Sequence, residues 1–240
     1  MIYITGDTHG TIDIEKLKYD TFISKDDYLI IAGDVAVCWD GGRLDKETKE
    51  YWASKPYTVL FVDGNHEGFT ELYNQPEEIW NGGRVHRILP NMLHLERGQV
   101  FTIEGKTFFT FGGGLSIDKI YRTPYVSWWP EEEPTVKQTE EAMNNLDKYG
   151  WKVDYVITHA APEYVVRNVF TAVKPLLQKD CSCEKFLDTI YNKLDFQTWF
   201  CGHYHFDAYL KTSKIMELYQ DVVKLSKGYP ICNTTYRYTT

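Results

Sequence analysis

The chain opens with MIYITGDTHG, residues 1–10, and this stretch decides how the rest can fold. The apolar and β-branched run at residues 1–5 is typical of a strand buried in a sheet. Gly6 follows at once, and Asp7 and His9 come directly after it. In open α/β sheets, ligands bind in the crevice outside the carboxyl ends of the strands. We therefore expect both polar side chains to face a site at the edge of a sheet.

The same order, a short apolar strand followed by a polar motif, occurs four more times along the chain. The five predicted strands are Met1–Thr5, Tyr28–Ala32, Thr58–Val62, Val153–Thr158 and Thr198–Cys201. The four further motifs are Gly33-Asp34, Gly64-Asn65-His66-Glu67, Thr158-His159 and Gly202-His203-Tyr204-His205. One crevice should collect all of these side chains. Most of the motifs begin with glycine, which fits a sharp turn with positive φ.

The remaining segments predict a mixed α/β (α+β) fold with two packed sheets, in a single domain over residues 1–240. Helical patterns at residues 15–24 and 46–54 separate the first three strands and predict a parallel start. Residues 92–114 predict an antiparallel meander, and residues 138–148 predict an acidic amphipathic helix. Residues 214–225 and 229–236 predict further strands, although the first also fits a helix. Residues 121–135 show no period and predict a surface excursion that could form a lid.

Charge and composition bound the class of protein. The chain has 240 residues, a formal net charge of −8 and no long apolar run, so we expect no membrane span and no extended nucleic-acid partner. A small phosphoester is still compatible, because bound divalent ions reverse the local potential of an acidic site. Five cysteines without framework spacing, and no signal-peptide pattern, favour the cytoplasm. Cys181-x-Cys183 cannot complete a zinc cage alone and predicts a loop with two thiols.

The polar motifs contain a mixed set of metal-ligand side chains. They are Asp7, His9, Asp34, Asn65, His159, His203 and His205. Imidazole nitrogens with carboxylate and amide oxygens suit borderline metals such as Mn, Fe, Zn or Co. Seven groups exceed what one ion needs, and the two oxygens of Asp34 can bridge ions about 3.5 to 4 Å apart. The motifs use five of the seven histidines, which leaves His86 and His94 as surface or packing residues.

The order of the motifs resembles the calcineurin-like metallophosphoesterase superfamily from Asp7 to His205: Gly-Asp-x-His-Gly, Gly-Asp, Gly-Asn-His-Glu, a single His, then Gly-His-x-His. The resemblance implies a four-layer β-sandwich of two mixed sheets flanked by helices, with a dinuclear site at one edge. It also implies the division of the ligands, with Asp7, His9 and His205 on one metal, Asn65, His159 and His203 on the other, and Asp34 bridging.

The implied activity is hydrolysis of a phosphomonoester or a phosphodiester, with a small molecule or nucleotide favoured over a phosphoprotein. Hydroxide formed between two divalent ions attacks phosphorus in line, so no covalent serine or cysteine is needed. His66 is the candidate acid that protonates the leaving alkoxide. Arg122 is the candidate phosphate clamp, and a surface ion pair with Asp118 is the equal alternative.

The sequence departs from two branches of that superfamily. Protein Ser/Thr phosphatases have Asp-Arg-Gly after the second-strand Asp and an Arg before Gly-Asn-His-Glu, where this chain has Val37-Cys38-Trp39 and Asp63. Purple acid phosphatases place a Tyr ligand where Val37 stands. Two phosphate-binding arginines and the carboxylate that supports the catalytic His are thus missing. His66 needs another partner, for which Asp40 and Glu67 are the candidates.

Two other functions stay open. The same fold could serve as a binding module with weak or absent metals, although such a module would be expected to lose ligands and none is lost here. A nuclease or cyclic-nucleotide phosphodiesterase is the other alternative, with the acidic balance against a polynucleotide substrate. Trp128 and Trp129 could stack on a nucleobase, but core packing or a loop anchor is favoured for both.

Overall fold

The computed structural model describes residues 1–170, 181–225 and 231–232. The strands in this part of the chain are β1 (Ile2–Thr5), β2 (Tyr28–Ile31), β3 (Thr58–Phe61), β4 (Glu77–Trp80), β5 (Gly83–Leu89), β6 (Met92–Leu95), β7 (Gln99–Ile103), β8 (Lys106–Phe111), β9 (Tyr155–Thr158), β10 (Thr198–Cys201), β11 (Ala208–Leu210), β12 (Ile215–Glu217), β13 (Val223–Lys224) and β14 (Ile231–Cys232). The α-helices are α1 (Arg43–Ala53), α2 (Phe69–Tyr73), α3 (Val136–Lys148), α4 (Glu163–Asn168) and α5 (Ser182–Tyr191).

The first sheet has eight strands in the order β14-β13-β1-β2-β3-β6-β5-β4. Strands β1, β2, β3 and β6 run parallel, and antiparallel strands extend the sheet at both edges. The three strands β1 to β3 are almost continuously apolar, as parallel strands covered on both faces are. Because they are neighbours, their carboxyl ends bring Asp7, Asp34 and Asn65 to adjacent positions on one edge.

The second sheet has six strands in the order β11-β12-β10-β9-β8-β7. Its central strands β12, β10, β9 and β8 are parallel, and β11 and β7 pair antiparallel at the edges. Strands β9 and β10 lie side by side, so His159 and His203 follow two neighbouring strand ends. Each sheet therefore contributes part of the predicted ligand set.

Three buried apolar clusters separate four layers. The cluster between the sheets takes Ile4 and Leu60 from the first sheet and Phe108 and Phe200 from the second. A second cluster packs α3, α4 and α5 on the outer face of the second sheet. A third packs α1 and α2 on the outer face of the first sheet, around Trp52. The predicted fold class, two mixed sheets flanked by helices, is confirmed.

Most of the predicted elements lie where the sequence placed them. The five motif-bearing strands are present within one or two residues, α1 begins three residues before the predicted helix, and α3 covers residues 138–148. Residues 214–225 form β12 and β13, which confirms strands over a helix. Only β14 of the predicted strand at residues 229–236 falls within the described residues. No helix in the described ranges is long and apolar enough to cross a membrane.

Two predicted elements are wrong. Residues 15–24 form two 3₁₀ turns, Glu15–Leu17 and Asp20–Phe22, because only Leu17 and Ile23 in this stretch are buried and provide too narrow an apolar face for a helix. Residues 92–114 are not one meander: β6 belongs to the first sheet, whereas β7 and β8 form a hairpin in the second. The chain changes sheets at Gly98, which has a positive φ of 74°.

The excursion at residues 121–135 is held to the body of the protein at one end. Trp129 is buried, packs its indole edge-on against Trp39 at 4.9 Å, and donates its N–H to Thr70. The Glu132 carboxylate is buried and accepts the backbone N–H of Ser116 at 2.8 Å. Tyr125, in contrast, is exposed. The favoured role for Trp129, core packing, is confirmed, while Trp128 lies beneath the Lys119 ammonium group.

Candidate metal centre

The seven predicted ligands meet at the carboxyl-end edge of both sheets. Two groups of side chains there have ligand atoms that all lie within 4.8 Å of one another. The first group is Asp7, His9, Asp34 and His205, and the second is Asp34, His159 and His203. Asn65 joins the second group because its Oδ1 atom lies 3.2 Å from His159 Nε2. Asp34 is the only side chain among the described residues that belongs to both groups.

The first group is arranged around two carboxylates. The Nε2 atom of His9 lies 3.2 Å from Asp34 Oδ2, and the Nε2 atom of His205 lies 3.2 Å from Asp7 Oδ2. Asp7 is fixed by the backbone N–H of His203, which lies 3.1 Å from both carboxylate oxygens. The His205 ring stacks on Tyr219 with centroids 4.8 Å apart. Both imidazoles are thereby held with one nitrogen facing the carboxylates.

The second group is arranged around His159. Its Nε2 atom lies 3.3 Å from Asp34 Oδ1 and 3.1 Å from His203 Nδ1. The Asn65 side-chain amide donates to Ser116 Oγ at 3.2 Å, which turns its Oδ1 atom towards His159. The two oxygens of Asp34 therefore face different groups, Oδ2 towards His9 and Oδ1 towards His159.

Hydrogen bonds on the far side of two imidazoles fix which nitrogen is free. The Nδ1 atom of His159 lies 2.8 Å from the Ala32 carbonyl oxygen, and the Nδ1 atom of His9 lies 2.7 Å from Asp13 Oδ2. An N–H that donates to an oxygen in this way leaves the lone pair of Nε2 free for the centre, which is the usual arrangement around a metal-binding histidine.

Sequence reasoning missed several supporting residues. Asp13 lies four residues after His9, and that spacing was a usable signal. Ser116 gave no signal, because it reaches Asn65 only after the chain has crossed between the sheets. Lys16 was also missed; its Nζ atom donates to the carbonyl oxygens of Gly6 at 2.9 Å and Asp7 at 2.6 Å. These residues orient the predicted ligands without belonging to them.

Four of the predicted ligands have a strained backbone conformation. His9, Asp34, His203 and His205 have positive φ angles of 43°, 53°, 77° and 56°. Such angles are uncommon outside glycine and persist only where the surroundings impose them. Six other non-glycine residues in the described part of the chain also have positive φ, so the strain is not confined to the site.

The expected role of the neighbouring glycines needs correction. Four glycines directly precede a predicted ligand: Gly6, Gly33, Gly64 and Gly202. Only Gly33 among them has a positive φ, 94°. Gly64 is instead required by close approach, because a Cβ atom there would lie 2.0 Å from Asp34 Oδ1. A Cβ on Gly202 would likewise lie 2.4 Å from Asp7 Oδ1. Glycine thus lets the backbone pass against the ligands and does not mainly provide a turn.

Buried negative charge dominates the electrostatics of the centre. The carboxylates of Asp7 and Asp34 are both buried, and they lie close enough for their negative charges to repel one another. Burial acts to lower the pKa of His159, but the charges of Asp34 and Asp7 outweigh it and raise that pKa to about 10. Burial also acts to lower the pKa of His9. The hydrogen bond and the charge of Asp34 outweigh that effect and raise this pKa to about 9. The two carboxylates therefore draw positive charge into the site.

The donor set fits divalent cations. Asp34 Oδ1, Asn65 Oδ1 and the facing nitrogens of His159 and His203 converge on one small volume. Lone pairs that face each other repel unless a proton or a cation lies between them. Mixed imidazole, carboxylate and amide ligands suit Mn, Fe, Zn or Co. Asp7, His9 and His205 lie in the first group and Asn65, His159 and His203 in the second, with Asp34 between them.

His66 lies beside the first group, and neither Asp40 nor Glu67 has a hydrogen bond to its ring. Its backbone N–H donates to Asp34 Oδ1 at 2.7 Å, and its ring meets the His9 ring edge-on at 4.9 Å. Burial lowers the pKa of His66, and the charges of His9 and Arg122 lower it further against the opposing effect of Asp34.

The two carboxylates expected to support His66 bind elsewhere. Glu67 accepts the backbone N–H groups of Val35 and Ala36, and Asp40 accepts that of Gly42. Their backbone partners are all local to the loop after β2, which explains why sequence proximity misled the prediction. The Trp39 indole instead lies nearly parallel to the His66 ring, at 6.0 Å and 22°.

Arg122 forms the ion pair named as its alternative role. Its Nε atom lies 2.7 Å from Asp118 Oδ1, and one terminal nitrogen donates to the Ser127 carbonyl at 3.1 Å. Its charge is still close enough to lower the pKa of His66. The arginine thus lies at the margin of the site with its guanidinium group already paired.

A cavity of about 420 Å³ opens beside the first group. Its lining includes the predicted ligands His9 and His205 together with His66. Its apolar lining includes Ile12, Trp39 and Leu44. A small substrate can therefore lie next to the candidate centre without a rearrangement of the fold.

The two remaining histidines are packing residues, as predicted. The Nδ1 atoms of His86 and His94 lie 3.2 Å apart, and His94 Nε2 lies 3.0 Å from Asp63 Oδ1. Arg97 forms a buried ion pair with the same Asp63 carboxylate. Asp63, which stands where the Ser/Thr phosphatases have an arginine, is thus tied into the core beneath the Asn65 loop.

The four cysteines whose side chains the structure describes do not form a metal site. Cys38, Cys181, Cys183 and Cys201 are free and buried. Cys183 lies inside α5 and not in a loop, because this part of the chain packs its thiol under the glycine-rich turn after β8. Burial raises the pKa of Cys38 and of Cys181 to about 12, so both are thiols at neutral pH.

Comparison with known proteins agrees with this geometry. A model of the calcineurin-like phosphoesterase family matches residues 1–207. No curated protein sequence matches the chain. The fold is similar to phosphopantetheinyl hydrolase from Mycobacterium tuberculosis, with 17% identity and a TM-score of 0.50 over 90% of this chain and 86% of that one. It is also similar to a putative 5′-nucleotidase from Staphylococcus aureus, with 11% identity and a TM-score of 0.46 over 97% of this chain, which spans only 52% of the nucleotidase. Identities this low describe a shared fold alone.

Proposed function

The chain belongs to the calcineurin-like phosphoesterase family, and from that membership we propose that it is a dinuclear metal-dependent hydrolase of small phosphoesters. The observation that carries the proposal is the position of Asp34, whose two carboxylate oxygens face two separate groups of ligand side chains. A bridging carboxylate is the feature that distinguishes a two-metal site from two unrelated ones.

The proposed ligands divide as the two groups do. Asp7, His9 and His205 would hold one cation, Asn65, His159 and His203 the other, and Asp34 would contact both. Manganese, iron, zinc and cobalt suit these donors. When bound, such cations supply Lewis-acid chemistry that neutralises phosphoryl charge and lets water act as the nucleophile near neutral pH.

The proposed reaction is addition of water to phosphorus and release of an alcohol. The bond from phosphorus to the leaving oxygen breaks, and His66 donates the proton that this oxygen needs. The pKa of His66 is lowered in the free site, but a phosphate dianion beside the ring raises the pKa of an imidazole. Arg122, which already pairs with Asp118, would have to exchange that partner to contact the phosphoryl group.

The size and charge of the site favour a small substrate. The cavity measures about 420 Å³, and no lysine or arginine is among the described residues that line it. A polynucleotide needs clustered cationic side chains along its backbone, and the net charge of −8 makes such a surface unfavourable. We therefore propose a small phosphomonoester or phosphodiester, including nucleotides, as the substrate class.

The test is hydrolysis of p-nitrophenyl phosphate and bis-p-nitrophenyl phosphate by protein stripped of metal and then supplied with Mn, Zn, Fe or Co in turn. We expect turnover to return with metal, and the ratio of the two rates assigns a monoesterase or a diesterase. Tight metal binding with no turnover of either ester would instead favour the binding module.

We also propose a reducing compartment, the cytoplasm, for the protein. Four cysteines in the described part of the chain are buried free thiols, as is usual for proteins kept reduced.

A further inference from the structure

The cavity beside the candidate centre has a wall that the proposed reaction does not use. Three of its residues are the proposed ligands His9 and His205 and the proton donor His66. The same lining includes Ile12 and Leu44, which are 80% and 66% exposed. Exposed large apolar side chains that line a functional cavity mark a surface that a ligand covers.

Trp39 gives this wall a flat, rigid face. The carboxylate oxygen Oδ2 of Asp45 accepts the backbone N–H groups of Trp39 at 2.8 Å, Asp40 at 3.1 Å and Gly41 at 2.7 Å. The Trp39 indole is further held between the edge of Trp129 and the face of His66. The indole is only partly buried and belongs to the cavity lining, so it offers a fixed apolar surface that a ligand can contact at little cost in entropy.

Charge narrows the choice of ligand. The described residues that line the cavity include Asp13 and Asp45 but no lysine or arginine. An anionic group beyond the phosphate would meet these carboxylates and be repelled. The part of the substrate that enters this wall is therefore not anionic.

We propose that this wall, formed by Ile12, Trp39 and Leu44, is the binding site for the leaving group, and that the leaving group is an apolar group without negative charge, such as an aromatic ring. The inference rests on the proposed function, because it places the phosphoryl group at the metal ligands. It adds the chemical class of the alcohol that is released.

The test uses phosphonates, which bind but are not hydrolysed, so that it does not depend on turnover. Calorimetry with the manganese-loaded protein compares methylphosphonate, phenylphosphonate and 4-carboxyphenylphosphonate. We expect phenylphosphonate to bind roughly tenfold more tightly than methylphosphonate, because its ring is buried against the apolar wall. The carboxyl compound should bind more weakly than phenylphosphonate, because its added negative charge meets the carboxylates of Asp13 and Asp45.

Two variants separate the wall from the rest of the site. Trp39→Ala and Leu44→Ser should each reduce the preference for phenylphosphonate over methylphosphonate at least threefold. Leu44→Ser alters an exposed side chain, so we expect this variant to fold as the unmodified protein does. Ile79→Ser is the matched control, because Ile79 is 73% exposed and lies on β4, outside the cavity lining. It should leave the preference unchanged.

Different outcomes would overturn the leaving-group site and the hydrolase function on which it rests. Equal affinity for the phenyl and methyl compounds, in a protein that hydrolyses p-nitrophenyl phosphate, would overturn the leaving-group site and leave the hydrolase intact. Equal affinity for phenylphosphonate and its carboxyl derivative would overturn the exclusion of negative charge from the wall. No binding of any phosphonate and no hydrolysis of either nitrophenyl ester would overturn the proposed function itself.

Discussion

The Nδ1 atom of His9 lies 2.7 Å from the Oδ2 atom of Asp13, four residues further along the chain. This contact directs the other nitrogen of His9 towards Asp34. A carboxylate behind a metal-binding histidine fixes its tautomer and orientation, and its loss typically weakens metal affinity about 10- to 100-fold. Asp13 is therefore a positioning residue for the first ligand group.

We accordingly expect Asp13→Asn to weaken the binding of one metal equivalent by about tenfold or more. Equilibrium dialysis with Mn²⁺ measures this directly. Asp26→Asn, which alters an exposed carboxylate of the same charge, is the control and should bind metal as the unmodified protein does. An Asp13→Asn protein with unchanged affinity at both positions would show that the His9 contact is incidental.

Asp34→Asn should remove metal and activity together. The substitution keeps the size of the side chain but removes the charge that both ligand groups share. Because loss of a supporting residue already costs about 10- to 100-fold, we expect loss of this one to lower turnover about a hundredfold or more. Full activity with one metal per chain would contradict the bridging role.

His66→Gln should keep metal and slow turnover selectively. Esters whose leaving alcohol has a high pKa need a proton at the leaving oxygen, and we expect them to lose about 10²- to 10⁴-fold in rate. Esters of p-nitrophenol leave without that help and should slow far less. The measurement is the dependence of log kcat on leaving-group pKa, which should steepen in the variant. A parallel line shifted downwards would assign His66 to positioning.

Arg97→Ala should destabilise the fold strongly. Arg97 is buried and its guanidinium group pairs with Asp63, so the substitution leaves a buried carboxylate without a counter-charge. Breaking such a pair typically costs about 3 to 5 kcal/mol. Urea unfolding measures the loss, and Arg43→Ala, which breaks the exposed pair with Glu47, should not move the midpoint. A midpoint for Arg97→Ala close to that of Arg43→Ala would contradict this view of Asp63.

Glu184 should make the fold less stable as pH rises. Burial raises the pKa of its carboxyl to about 7 from an ordinary value of 4.5, although the Tyr204 hydroxyl donates to it. The raised pKa means that the folded state favours the neutral acid, so its contribution is complete below about pH 4.5 and is lost as pH passes about 7. The whole effect is on the order of 3 kcal/mol.

The corresponding measurement is thermal unfolding between pH 4.5 and 8. Glu184→Gln should flatten the fall in Tm over that interval, because the amide stays neutral throughout. Glu140→Gln, at an exposed position on α3, should keep the slope of the unmodified protein. Identical slopes in all three proteins would exclude Glu184 as the titrating group.

Positions at strand ends were easier to predict from the sequence than the peripheral elements, for physical reasons. The parallel strands of one sheet end at one edge, so the neighbouring positions of Asp7, Asp34 and Asn65 followed from strand order. His159 follows a strand of the second sheet, and its approach to Asp34 depends on how the two sheets pack. The helix predicted at residues 15–24 was wrong, because a local helical pattern does not show how much apolar surface the segment can bury against the core. Strands β4 and β5 were missed, since the pairing of β4 is seen only against β5.

Partners that lie far apart in the chain set the second limit. Ser116 reaches Asn65 across 51 residues, and no local pattern predicts that contact. The reverse error arose for His66, where proximity in sequence suggested Asp40 and Glu67 although both carboxylates bind backbone N–H groups nearby. Strand ends are thus predictable from sequence, whereas the network that orients a ligand is a tertiary property.

The most direct test of the dinuclear proposal is a titration of metal-free protein with Mn²⁺, in which bound metal and hydrolysis of p-nitrophenyl phosphate or its diester are followed in the same samples. We predict that two equivalents bind per chain and that activity rises with the second. Full activity at one equivalent, or two bound equivalents with no hydrolysis of either ester, would contradict it.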